Sequence, residues 1–63
     1  MKLYRYVKID WDKKSNRPDI DYVQGLQNVR AVCPVKLSWS RIGKGWCGYD
    51  GPREYWAFEV KEA

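Results

Sequence analysis

Basic and aromatic side chains are interleaved through the middle of this 63-residue chain, a combination suited to binding nucleic acid. Between residues 22 and 49 there are four cations and no carboxylate, a local charge of +4 that equals the net charge of the whole protein. The same stretch contains four aromatic residues, Tyr22, Trp39, Trp46 and Tyr49. Cations neutralise phosphates, while flat rings stack on bases for about 1 to 3 kcal/mol each. The pattern predicts a surface for single-stranded or irregular nucleic acid.

The first predicted strand repeats the combination. Tyr4 and Tyr6 are two residues apart, so both rings are expected on one side of the sheet, where Arg30, Lys36, Tyr55 and Lys61 are expected to join them. The same side chains also suit an ordinary solvated sheet face. The predicted contacts are four phosphate-neutralising cations and four stacking rings: Arg30, Lys36, Arg41, Lys44, Trp46, Tyr49, Tyr4 and Tyr6.

A protein partner is the alternative function. Trp, Tyr and Arg are enriched at the centres of protein interfaces, so the same residues would serve as anchors. A compact adaptor or inhibitor, of the kind that phages and mobile elements encode, fits this reading. The two functions differ in salt dependence, because only phosphate contacts release counterions.

Catalysis and metal binding have little support in the residue types. The chain has no histidine and only two cysteines, Cys33 and Cys47, so neither an imidazole base nor a tetrahedral zinc site is available. Both thiols are expected to be reduced, Cys33 as a small buried residue. The carboxylate pairs lack a partner base, so we expect a non-enzymatic protein without cofactor or metal.

The glycines of residues 40–53 match the sequence of a dinucleotide-binding motif but not its structural context. Gly43, Gly45 and Gly48 have the required spacing, but such a motif must open a helix within a longer strand–helix–strand unit. Gly51 and Pro52 follow too closely for that helix. We therefore expect a loop, or a hairpin with a long tip.

Length and patterning indicate one small domain spanning residues 1–63, located in the cytoplasm and not in a membrane. No apolar run approaches the roughly 20 residues of a membrane-spanning helix, and the first residues lack the apolar core of a secretory signal. Such a short chain must bury its largest side chains, and the four tryptophans and Phe58 are the expected core. A homodimer interface is another way to bury apolar surface.

Periodicity predicts the order of elements. Alternation over 3–11, 29–39 and 54–62 predicts three strands, and apolar residues at helical spacing predict a short helix over 18–27, with an irregular strand as its competitor. The expected fold class is therefore α+β, a three-stranded, mainly antiparallel sheet under one short helix. The alternative is an all-β, five-stranded small barrel with strands around Trp46 and Tyr49.

Overall fold

The computed structural model describes residues 2–14 and 17–60, which form a five-stranded antiparallel sheet with one short helix. In chain order the elements are β1 (Leu3–Asp10), β2 (Asp19–Gln24), α1 (Leu26–Val32), β3 (Ser38–Trp39), β4 (Trp46–Asp50) and β5 (Arg53–Val60). The strand order is β2-β1-β5-β4-β3. The first and last strands are thus neighbours at the centre of the sheet, in a register that runs from Leu3 opposite Val60 to Asp10 opposite Arg53.

The predicted three-stranded sheet is wrong, and the five-stranded alternative fits better. The segment 40–53 contains β4, which pairs with β5 on one side and β3 on the other. In the described part of the chain the sheet is open, with β2 and β3 at its edges and α1 against one face, and so it differs from the barrel of that alternative.

The helix lies later in the chain than predicted. Residues 18–27 contain β2, in which Ile20 and Tyr22 alternate as in a strand, although Ile20, Val23 and Leu26 also recur at helical spacing. Gly25, with φ of 83°, then turns the chain and α1 begins at Leu26. The apolar residues Leu26, Val29 and Cys33 follow helical spacing, which is why the predicted strand over 29–39 is wrong except at β3.

The sheet has two different faces, because residues opposite each other in an antiparallel sheet point to the same side. The covered face packs under α1 and the segment 33–37. It includes Tyr4, Tyr6, Tyr55 and Ala57, which form the core with Val29, Cys33 and Leu37. The open face has no element over it within the described residues and includes Leu3, Arg5, Val7, Ile9, Ile20, Tyr22, Cys47, Tyr49, Glu54, Trp56, Phe58 and Val60.

The predicted core of tryptophans and Phe58 is therefore wrong. Trp11 and Trp39 are exposed, and Trp46, Trp56 and Phe58 are only half-buried. Three tyrosines fill the interior instead, with Tyr6 3% exposed and its ring 6.4 Å from that of Tyr55.

A glycine on β4 lets the chain close over the covered face. A Cβ at Gly48 would lie 2.8 Å from Val35 Cγ2 and 2.9 Å from the Lys36 carbonyl oxygen. Real Cβ atoms do not approach other atoms this closely. The segment after α1 therefore passes directly above Gly48, and this passage places Leu37 in the core.

Among the described residues, one buried side-chain polar group has no hydrogen-bond partner. The Tyr6 hydroxyl is buried beside Cys33 and has no well-formed hydrogen bond to any described residue. Burial raises the pKa of Tyr6 far above its ordinary value, and the neighbouring Cys33 thiol adds to the shift. The hydroxyl therefore stays protonated in the folded protein.

No described helix is long and apolar enough to cross a bilayer.

Candidate nucleic-acid interface

Three aromatic rings form a continuous cluster on the open face. Trp56 and Phe58, two residues apart on β5, have ring centroids 5.7 Å apart and planes within 2° of parallel. Tyr49 on β4 meets Trp56 edge-on, at 6.4 Å and 84°. Tyr49 is 58% exposed, so its ring offers a flat surface to a ligand. We call Tyr49, Trp56 and Phe58 the aromatic cluster.

A cation lies within the same face. Arg5 on β1 is opposite Phe58 on one side and Tyr22 on the other. Tyr22 is 62% exposed. The row Phe58, Arg5 and Tyr22 therefore continues the aromatic cluster across the sheet and adds a positive charge at its centre.

Two more cations border the cluster at the β3 edge. A cavity of about 570 Å³ is lined there by Lys36 and Arg41 together with Tyr49 and Trp56. Ser38 and Cys47, paired across β3 and β4, line it as well. The cavity thus combines two positive side chains with two rings of the aromatic cluster.

Backbone hydrogen bonds around Ser40 hold Arg41 at this edge. Ser40 is buried; its amide donates to the Gly45 carbonyl at 2.7 Å, and its hydroxyl accepts from the Ile42 amide at 3.2 Å. A Cβ at Gly45 would collide with the Ala57 carbonyl oxygen, so glycine allows the end of this loop to lie against β5. The loop is therefore anchored on both sides of Arg41.

The electrostatics of the open face suit an anionic ligand. Among the described strand residues Glu54 is its one carboxylate, whereas Asp19, Asp21 and Glu59 point to the covered side. Loss of hydration raises the pKa of Tyr49 above its ordinary value, and the neighbouring Cys47 and Glu54 act in the same direction. A tyrosine with an ordinary or raised pKa is neutral at physiological pH, so Tyr49 does not repel a phosphate.

The structure brings three of the eight predicted contact residues together. Lys36, Arg41 and Tyr49 line the same cavity. Arg30 and Trp46 form a separate pair on the covered side, with the guanidinium carbon 5.0 Å from the ring centroid. Lys44 is exposed in the loop before β4 and does not line this cavity.

The expectation that Tyr4 and Tyr6 form a stacking surface is wrong. They are 8% and 3% exposed, because the side of β1 on which they lie is the one that α1 covers. Tyr55 is buried with them, and Arg30 belongs to the helix. Lys61, placed with them by the same expectation, lies outside the described residues.

The predicted contacts leave out four open-face residues: Arg5, Tyr22, Trp56 and Phe58. Of these, only Tyr22 lies in the basic and aromatic middle stretch of the sequence. The period-two pattern of β5 does put Trp56 and Phe58 on one side, but that side was assigned to the core. The available signal was that β1 and β5 carry large apolar residues on both sides, so either side qualified as the interior.

Within residues 2–14 and 17–60 no three His, Cys, Asp or Glu side chains lie together as metal ligands. Cys33, which is buried as predicted, and Cys47 are both free thiols.

Comparison of the chain with protein-family models, curated proteins and solved structures finds no match. We therefore infer a function from the geometry of the open face.

Proposed function

We propose that this protein binds single-stranded nucleic acid on the open face of its sheet. The observation that carries the proposal is the cavity in which Lys36 and Arg41 border two rings of the aromatic cluster. Bases stack on exposed rings without regard to sequence, and neighbouring cations follow the phosphates. Tyr49 and Trp56 supply the stacking surface, and Lys36 and Arg41 contact the backbone.

The open sheet also explains why we propose single-stranded nucleic acid as the ligand and not duplex DNA. Duplex DNA is read by a helix or a β-ribbon that enters the major groove, and the described helix, seven residues long, packs against the sheet. The rings of the aromatic cluster and of Tyr22 can stack only on unpaired bases, because paired bases do not expose their flat surfaces.

The test is fluorescence anisotropy with a labelled oligothymidine or oligouridine over a range of salt concentrations. With Arg5, Lys36 and Arg41 each neutralising one phosphate, the log–log slope should be about −2. The double variant Lys36→Ala/Arg41→Ala should reduce the slope to about −1. Tyr49→Ala should weaken binding by roughly 5- to 150-fold, and Tyr49→Phe should retain it because the ring remains.

Lys2→Ala is the matched control. Lys2 pairs with Glu59 at 3.5 Å, and Glu59 belongs to the covered face, so the variant loses one positive charge away from the site. Its salt slope should equal that of the wild type. The proposal fails if no oligonucleotide binds at low salt, or if Lys2→Ala and the double variant change the slope equally.

A protein partner or a second copy of the chain on the same face is the competing outcome. Either would be lost on Tyr49→Ala without the salt slope of phosphate release. Sedimentation of the free protein distinguishes the two, since a dimer through the open face changes the mass at micromolar concentration. Such a result, without oligonucleotide binding, would overturn the proposal.

A further inference from the structure

A second cationic cavity lies away from the open-face site, where β1, β2 and β5 meet. Its volume is about 220 Å³. Four cations and two carboxylates line it: Lys8, Lys13, Arg17, Arg53, Asp10 and Asp19. Positive side chains outnumber negative ones by two to one in this lining. The cavity is too small for a polymer but large enough for one tetrahedral anion.

One of the two carboxylates is already engaged. Asp10 Oδ2 lies 3.5 Å from Arg53 Nε, and Asp10 Oδ1 accepts a hydrogen bond from the Asp12 amide at 3.1 Å. The second carboxylate, Asp19, lies opposite Lys8 in the register of β1 and β2. The cavity therefore keeps a surplus of about two positive charges.

The strands fix much of the wall. Lys8 on β1 is half-buried. It lies opposite Tyr55 on β5 and opposite Asp19 on β2. Arg53 is opposite Asp10 at the end of the same pair of strands. Because Lys8 and Arg53 belong to strands, their backbone positions beside the cavity are fixed before any ligand arrives, which reduces the entropy lost on binding.

We propose that this cavity binds a phosphate monoester or free phosphate as its dianion. Two guanidinium groups, from Arg17 and Arg53, present paired N–H donors that match phosphate oxygens, and Lys8 adds a third charge from β1. A dianion balances the surplus of two charges, which a monoanionic phosphodiester does not. The site goes beyond the proposed function and does not depend on it, since it shares no lining residue with the open-face cavity.

Inorganic phosphate is the first probe, titrated into the whole protein at low salt and pH 8 and followed by amide NMR. Saturable shifts are expected at Lys8, Arg17 and Arg53. Arg17→Ala should weaken phosphate binding about tenfold or more, because it removes a charge-assisted pair of hydrogen bonds. Asp19→Asn should strengthen it, since a repelling carboxylate is lost. Lys2→Ala, with the same charge loss elsewhere, should not change it.

Arg53→Gln provides an independent variant whose folding is checked by thermal unfolding. It should also weaken phosphate binding while keeping the wild-type NMR pattern away from the cavity. A short oligonucleotide with and without a 5′-phosphate then distinguishes the source of the group. Tighter binding of the phosphorylated strand, lost in Arg17→Ala, assigns the site to strand ends; equal binding of both strands, with saturable inorganic phosphate, assigns it to the free ion.

The inference is overturned if phosphate shifts do not saturate, or if Arg17→Ala and Arg53→Gln bind phosphate as the wild type does. Its failure is separable from that of the proposed function. Phosphate binding without oligonucleotide binding supports the second cavity and rejects the open-face site, and the reverse result does the opposite.

Discussion

The covered and open faces of this sheet have similar aromatic content but opposite environments. Tyr4, Tyr6 and Tyr55 are buried under α1, whereas Tyr49, Trp56 and Phe58 remain on the side without a covering element in the described chain. Side-chain hydrophobicity alone would favour the reverse, since Trp and Phe are less polar than Tyr. The difference shows that the path of the chain selects the interior.

The path is set by the connection from β2 to β3. Each neighbouring pair in the order β2-β1-β5-β4-β3 is antiparallel, so the two edge strands run parallel to each other. A connection between parallel strands of one sheet has a strongly preferred right hand, which allows it to cover only one face. The helix and the passage over Gly48 lie in that connection, and their face becomes the core.

The largest expected loss of stability tests the close approach of Gly45 to the Ala57 carbonyl oxygen. Gly45→Ala places a Cβ against the Ala57 carbonyl oxygen, which belongs to the central sheet and cannot move aside. We expect a loss of about 3 kcal/mol in the free energy of unfolding, measured by urea denaturation. Gly43→Ala is the control: its φ is 69° but no atom lies within 4 Å, so the cost should be about 1 kcal/mol. Equal losses would contradict the packing argument.

A valine on each side compares the two faces directly. Val29 is 0% exposed under the sheet, and Val7 is half-buried on the open face. Val29→Ala should lower the free energy of unfolding by about 2 kcal/mol, because two methyl groups leave a cavity. Val7→Ala should cost about half as much or less. If Val7→Ala proved the more costly, the open face would be covered in solution.

The buried hydroxyl of Tyr6 predicts an unusual response to truncation and pH. Tyr6→Phe removes an unsatisfied donor, so at pH 7 stability should stay the same or rise by about 1 kcal/mol. Since folding raises the Tyr6 pKa, stability is intact below the unfolded value of about 10 and falls as pH rises above it.

Thermal unfolding between pH 8 and 11 checks the Tyr6 prediction. Tyr6→Phe should lose less stability than the wild type over this interval. Tyr22→Phe, which removes an exposed hydroxyl from the open face, is the control at pH 7 and should leave stability unchanged. A destabilised Tyr6→Phe would mean that the hydroxyl has a good partner.

The smallest expected effect on stability distinguishes two of the predicted contact residues, Arg30 and Lys36. Arg30→Ala removes the cation over Trp46 and should cost about 0.5 to 1 kcal/mol of stability while shifting the tryptophan emission. It should leave the salt slope for oligonucleotides unchanged, because Arg30 lies on the covered side. Lys36→Ala removes the same charge and should show the opposite pattern: no loss of stability and a shallower slope.

The first and last strands of the chain were predictable from sequence because their residues alternate with period two. The strand over 3–11 is found as Leu3–Asp10, and the strand over 54–62 as Arg53–Val60 within the described residues. The middle was not, because Ile20, Val23 and Leu26 recur at helical spacing while Ile20 and Tyr22 alternate as in a strand. Only the turn at Gly25, anchored by its amide to the Lys2 carbonyl at 2.7 Å, decides between them.

Part of the candidate site was predictable from the sequence and part was not. Lys36, Arg41 and Tyr49 were found from composition, since cations and rings without carboxylates stand out locally. Trp56 and Phe58 were assigned to the core because local periodicity puts residues on a common side without saying which side a distant helix covers. Strand order, which local patterns do not contain, supplies that information.

The adjacency of β1 and β5 also governs how the chain acquires its structure. Leu3 finds Val60 across nearly the whole length of the polypeptide, so the central pair forms only after a large loop has closed, at an entropic cost that grows with the logarithm of loop length. Without β5 the remaining strands are two separate hairpins, each marginal in water. Folding should therefore be cooperative and slow for so small a protein.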